Sequence, residues 1–195
     1  MAGRTVPVQI ASRLTAAAQL FAERGLEQTK MEDLAAATGV PKATLYYYFA
    51  GKEEILAFLL QDTLVRVSDE VAIAVQSSGT AAERLTAVIR AQLTVMAEQP
   101  DVCRALIGDL GRAGRIPEIA DAIRTAYFEP VATLLTEGVE DGSLHAQPDP
   151  VVTAVATFGA IVISGLSYLV SGHPLDPDRV AQPIIDMLLD GLRPR

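Results

Sequence analysis

Apolar residues recur at intervals of three and four along almost the whole chain, and no stretch of useful length alternates polar with apolar, so packed helices are the only architecture on offer. Ile10, Leu14, Ala18 and Phe21 form one such face, and Gly25 supplies a stop after it. Aromatics make up only 5% of the chain, which suits helices better than sheets. The sequence predicts an all-α chain of about nine helices. Residues 1–50 form a small head, and residues 51–195 form a larger helical body.

Punctuation fixes the order of these helices. Thr29 with Glu32 reads as a capping box opening a short second helix, and Gly39 allows the left-handed turn that ends it. A third short helix runs from about Pro41 to Tyr48, and a long fourth starts near Lys52, with Glu53 and Glu54 at its positive end. Thr80 with Glu83 opens a fifth, Pro100 forces a break before a sixth, and Pro117 opens a seventh that Pro130 should kink. Asp149-Pro150 and Asp176-Pro177 each put a capping Asp before Pro at a first helical position, opening the last two.

The segment from Thr29 to Leu56, TKMEDLAAATGVPKATLYYYFAGKEEIL, has the physical logic of a helix-turn-helix. Leu34, Val40, Leu45 and Phe49 can pack inward, which leaves Lys42, Ala43, Thr44, Tyr46 and Tyr47 facing out. A short face of Lys, Thr and Tyr suits a major groove, with Lys for guanine or phosphate and Ala or Tyr for thymine methyls. Charge is divided to match. The chain carries a net −8, yet residues 1–52 hold 6 basic and 4 acidic side chains, and all three lysines, Lys30, Lys42 and Lys52, lie there. A positive head on an acidic body is compatible with DNA where a uniformly acidic surface is not.

The run from Gly39 to Phe49, followed by Lys52-Glu53, resembles the signature of the tetracycline-repressor (TetR) family of transcriptional regulators. In that signature a Gly-Val turn leads to Thr-Leu-Tyr-x-Tyr-Phe and a Lys-Glu helix start. Pro41 and Ala43 stand where Ser and Gly are common in the family, and Lys30 where Thr or Ser is. The resemblance implies a ligand-responsive regulator, released from a near-palindromic operator by a small molecule. It implies that Thr44, Tyr47 and Lys52 hold phosphates and that Lys42, Ala43 and Tyr46 face bases, with Thr29 and Lys30 beside them.

Two expectations concern the body. Phe58, Met96, Leu106, Tyr127, Phe128 and Phe158 are the large apolar, aromatic or thioether side chains available to line a cavity for a mainly hydrophobic effector. The last two helices are expected to form a symmetric dimer interface from Ala154, Val155, Phe158, Gly159, Val162, Leu166, Ile184, Met187 and Leu188.

Other functional classes find less support. Val151 to Leu175 carries no Asp, Glu, Lys or Arg and is long enough to span a bilayer, but hydroxyl side chains dilute it and no basic residue anchors its ends. No membrane association is expected. His145 and His173 have no carboxylate or thiol at ligand spacing, so neither metal, cofactor nor enzymatic chemistry is expected. Residues 108–115, GDLGRAGR, lack the Gly-Lys-Ser/Thr of a phosphate loop and follow no strand. A lone Cys103 and no secretory pattern at the start lead us to expect a cytoplasmic protein.

Overall fold

The computed structural model describes residues 5–108 and 117–192, with the side chains of 106–108 and 117–119 left out. The GDLGRAGR segment beyond residue 108 and the Leu106 side chain therefore lie outside the described residues. Among the described residues every regular element is helical. They are α1 (Val8–Gln28), α2 (Met31–Thr38), α3 (Lys42–Tyr48), α4 (Lys52–Val75), α5 (Ala81–Glu98), α6 (Pro100–Gly108), α7 (Pro117–Ile123), α8 (Glu129–Glu140), α9 (Pro150–Val170) and α10 (Pro177–Leu192). A π turn, Arg124–Phe128, joins α7 to α8, so these two are one interrupted rod.

The chain divides into two compact units. The first is Met1–Thr63 with Asp101–Ile119, and the second is Leu64–Pro100 with Ala120–Arg195. By contact, the first unit runs past residue 50 through the first half of α4.

In the first unit, α1 buries Leu14, Ala17, Ala18, Phe21 and Leu26, and its path breaks at Gly25 (φ 73°) as the sequence predicts. The capping box expected from Thr29 and Glu32 is displaced by one residue. Thr29 is fully buried, and its hydroxyl donates to the Gly25 carbonyl at 2.8 Å. The half of the box that forms is the Lys30 N–H donating to Asp33 Oδ2 at 3.1 Å. After α2, Gly39 takes the left-handed conformation (φ 64°, ψ 14°) that a side chain with a Cβ would resist. Thr38 closes the same turn, donating to the Leu34 carbonyl at 2.7 Å and accepting from the Val40 N–H at 3.2 Å.

In the second unit, the box predicted at Thr80 forms in both directions, Thr80 N–H to Glu83 Oε2 at 2.8 Å and Glu83 N–H to Thr80 Oγ1 at 3.3 Å. Asp149 accepts from the N–H groups of Val151 and Val152 at 3.0 Å, and Asp176 from those of Asp178 and Arg179. Both Asp-Pro pairs thus cap helices as expected. Helix α5 packs against α8, α9 and α10 and buries Leu85, Val88, Ile89, Gln92, Leu93 and Met96. Polar ties fix its register: Arg84 pairs with Glu137 at 2.7 Å, the Ala81 N–H donates to Asp141 Oδ2 at 2.7 Å, and Arg90 pairs with Asp178.

Pro130 has no N–H to give the preceding turn, and a proline ring crowds the carbonyl four residues back. The backbone answers by widening: the Glu129 N–H bonds to the Arg124 carbonyl five residues earlier. The interruption on the N-terminal side of Pro130, where a kink is expected, is a π turn.

Candidate nucleic-acid interface and effector core

Helix α3 is anchored by Leu45, fully buried, with Phe49 beyond it at 5% exposure. Its other face is open, with Tyr46 at 50% and Tyr47 at 55% exposure, and Lys42 and Ala43 also exposed. Thr44 is half-buried. The Tyr47 ring meets the Tyr48 ring edge-on, with centroids 4.9 Å apart, so the outward tyrosine is braced by its neighbour. Lys42 lies at the start of this face, its Nζ 5.7 Å from the Tyr46 ring centroid and paired with the Glu32 carboxylate. Their hydrogen bond raises the Lys42 pKa and lowers that of Glu32.

Two of the expected DNA contacts are otherwise engaged. Thr29 cannot reach a phosphate, because it is fully buried with its hydroxyl on Gly25, a correction to the sequence reading. Lys52 turns its ammonium to the carbonyls of Glu27 (3.0 Å) and Thr29 (3.1 Å) at the end of α1. Two of its three donors therefore cap a helix and tie α4 to α1, a structural role the sequence reading did not assign. Lys30 is exposed where α2 begins.

The second unit holds an aromatic cluster. Tyr127 and Phe128, both on the π turn, meet Phe158 of α9 edge-on, with centroid distances of 5.0 and 5.4 Å. Tyr127 is 1% exposed, and its hydroxyl has no hydrogen-bond partner. Burial pushes its phenol pKa well above the ordinary range. Gln92 of α5, 2% exposed, likewise leaves Oε1 without a partner. Sequence reasoning missed Gln92, although a glutamine in phase with Leu85, Ile89 and Met96 was the available signal. Met96 packs against Gly165, where a Cβ would come within 2.6 Å of its Cε. Phe58 belongs to the first unit and stacks edge-on with Phe49 at 5.7 Å.

Helix α9 is apolar on most sides, and it is the described helix long and apolar enough to cross a membrane by length and composition. Ala154, Thr157, Ile161, Gly165, Leu166 and Leu169 face the core of the unit. Val151, Val152, Val155, Ile163 and Val170 face outward, with Met187 of α10 at 61% exposure. Three residues expected at a partner surface, Ala154, Leu166 and Ile184, are buried inside the protomer instead, a correction. Their spacing puts them on the inward side of helices whose outward side is also apolar. Phe158, Gly159, Val162 and Leu188 are half-buried at the margin.

Among the described residues no cluster of His, Cys, Asp and Glu could hold a metal ion. Cys103 is buried, and burial pushes its thiol up to about 12. His145 and His173 are exposed, the latter with Nδ1 3.1 Å from Ser171 Oγ.

Residues 14–58 match the family described as bacterial regulatory proteins, tetR family, and residues 78–192 match the tetracyclin repressor-like C-terminal domain. The chain is 30% identical over 186 residues to the HTH-type transcriptional repressor KstR2 of Rhodococcus jostii, covering 92% of this chain and 88% of that one. It is 22% identical over 180 residues to the fatty acid metabolism regulator protein of Bacillus subtilis, covering 92% and 93%. The fold matches that of the transcriptional regulator FadR from Bacillus subtilis, solved in complex with stearoyl-CoA, with a TM-score of 0.76 at 21% identity over 93% of this chain and 98% of that one. With a helix-turn-helix whose outward face is Lys, Ala and two Tyr, and with both halves of the family pattern present, the chain belongs to the tetR family and is a ligand-responsive, DNA-binding transcriptional regulator.

Proposed function

We propose that the protein is a repressor that binds a near-palindromic operator as a homodimer and leaves it when a fatty acyl thioester of coenzyme A enters the second unit. The observation that carries the DNA half is the open face of α3, where Lys42, Ala43, Tyr46 and Tyr47 are exposed above a buried Leu45. Lys42 and Tyr46 would meet base edges, Tyr47 and Thr44 phosphates, and Lys30 a phosphate beside α2. The apolar outward faces of α9 and α10, with Val155, Ile163 and Met187 exposed, support pairing with a second copy. Two heads held in this way would meet successive major grooves roughly 34 Å apart.

The effector half rests on the core of the second unit. Tyr127 and Phe128 on the π turn, with Phe158 of α9, supply an aromatic wall, and Met96 of α5 an adaptable one. FadR from Bacillus subtilis, a structural relative of the same fold, was solved with stearoyl-CoA bound, and a fatty acid metabolism regulator is among the sequence relatives. Helix α4 has residues in both units, so a ligand that favours one setting of α4 changes the spacing of paired heads. The protein acts by binding and not by catalysis, on chromosomal DNA in the bacterial cytoplasm. Genome-wide recovery of bound DNA tests the reading: enriched sites sharing an inverted repeat, lost in Tyr47→Ala, are expected, and no enrichment at low salt contradicts it.

A further inference from the structure

Three buried polar atoms of the second unit have no partner, Arg84 Nε, Gln92 Oε1 and the Tyr127 hydroxyl, and the register of the helices puts the last two at one level. Arg84 of α5 pairs with Glu137 of α8 at 2.7 Å, and the Ala81 N–H bonds to Asp141, so the two helices run antiparallel in a fixed register. Eight residues on from Arg84, or about 12 Å, is Gln92; eight residues back from Glu137 is Glu129, at the edge of the π turn that carries Tyr127. Helix α9 closes the layer, with Phe158 against Tyr127 at 5.0 Å and Gly165 against Met96 one helical turn beyond Gln92. Around two unpaired polar atoms the lining is therefore hydrocarbon, aromatic ring and thioether.

A buried phenol hydroxyl needs an acceptor and a buried amide oxygen needs a donor, and leaving either unmade has a free-energy cost that most native cores avoid. A purely hydrocarbon chain placed here would leave both unmade. A hydroxyl is donor and acceptor at once, so it satisfies Tyr127, and it satisfies Gln92 in either orientation of the carboxamide. We infer that the effector carries a hydroxyl in the part that reaches Gln92 and Tyr127, so that this regulator recognises a hydroxylated acyl chain in preference to an unsubstituted one. The inference rests on the acyl-CoA reading above and narrows it.

Calorimetric titration of the full-length protein with palmitoyl-CoA, β-hydroxypalmitoyl-CoA and ω-hydroxypalmitoyl-CoA tests it. One hydroxylated thioester is expected to bind about tenfold tighter than palmitoyl-CoA, the difference one buried hydrogen bond makes. Tyr127→Phe and Gln92→Leu should each reduce that preference while raising the melting temperature of the ligand-free protein, because each removes an orphaned polar atom; a merely structural role would not link the two changes. Palmitoyl-CoA binding as tightly as both hydroxylated thioesters overturns the inference and leaves the effector class standing, whether or not the variants fold. If none of the three binds, the acyl-CoA reading fails, and the inference falls with it.

Discussion

The Lys42 ammonium is paired with the Glu32 carboxylate, joining the first turn of α2 to the first turn of α3 across the helix-turn-helix. The pair is solvent-exposed, so it contributes little to stability. It does hold Lys42 at the start of the outward face, and it places an acidic group where DNA phosphates would approach. Glu32→Gln is therefore expected to raise affinity for duplex DNA severalfold and to leave the melting temperature unchanged. Lys42→Ala should lower affinity about tenfold or more and relax base preference. Fluorescence anisotropy with operator duplex across a salt series checks both; a loss of affinity in Glu32→Gln contradicts this account of the pair.

Lys52 should behave differently from Lys42. Its ammonium serves the carbonyls of Glu27 and Thr29, so Lys52→Met keeps the aliphatic stem and leaves the α1 end uncapped. We expect a stability loss of about 1 kcal/mol together with weaker DNA binding. Thermal melts beside binding curves separate the roles, since a purely phosphate-binding lysine would weaken binding with no change in melting.

Asp141 gives the second unit a pH dependence of definite sign. Its carboxylate accepts from the Ser143 side chain and from the backbone of Ala81 and Ser143, and these bonds hold its pKa below the ordinary 3.8. A depressed carboxylate adds stability above its unfolded pKa and loses it as pH falls through the folded value. Asp141→Asn should thus be less stable than the parent at neutral pH, with the gap closing below about pH 3.8. A gap that stays constant through acid denaturation would count against this role.

Gly159 stands at the margin of the outward face of α9, and a Cβ built there meets nothing within 4 Å. Gly159→Arg therefore fits the protomer while setting a charge in the proposed partner surface. Sedimentation velocity at micromolar concentration should show a dimer for the parent and a folded monomer for the variant, with helical circular dichroism preserved. An unchanged dimer would move the interface elsewhere.

Local chemistry made most of the fold legible. The caps at Thr80, Asp149 and Asp176 and the turn at Gly39 involve partners within four residues, so the sequence contains the whole interaction. Thr29 was misread because its hydroxyl donates to the Gly25 carbonyl of the preceding helix instead of accepting from the Glu32 N–H as a capping box requires. The dimer face was only partly readable. Helix α9 is apolar on nearly all sides, so periodicity could not say that Ala154 and Leu166 face the core while Val155 and Ile163 face out. Lys52 and Gln92 depend on partners, or on the lack of them, across other helices, which spacing does not reveal.

The central claim is that effector and operator compete through one protein, and calorimetry of an acyl-CoA thioester with and without operator DNA tests it most directly. Linkage requires the operator to weaken thioester binding by the same factor by which the thioester weakens operator binding. A thioester affinity reduced by operator, with the two factors equal, is the expected result. Equal affinity in the two titrations would contradict the account, even if the thioester binds tightly in both.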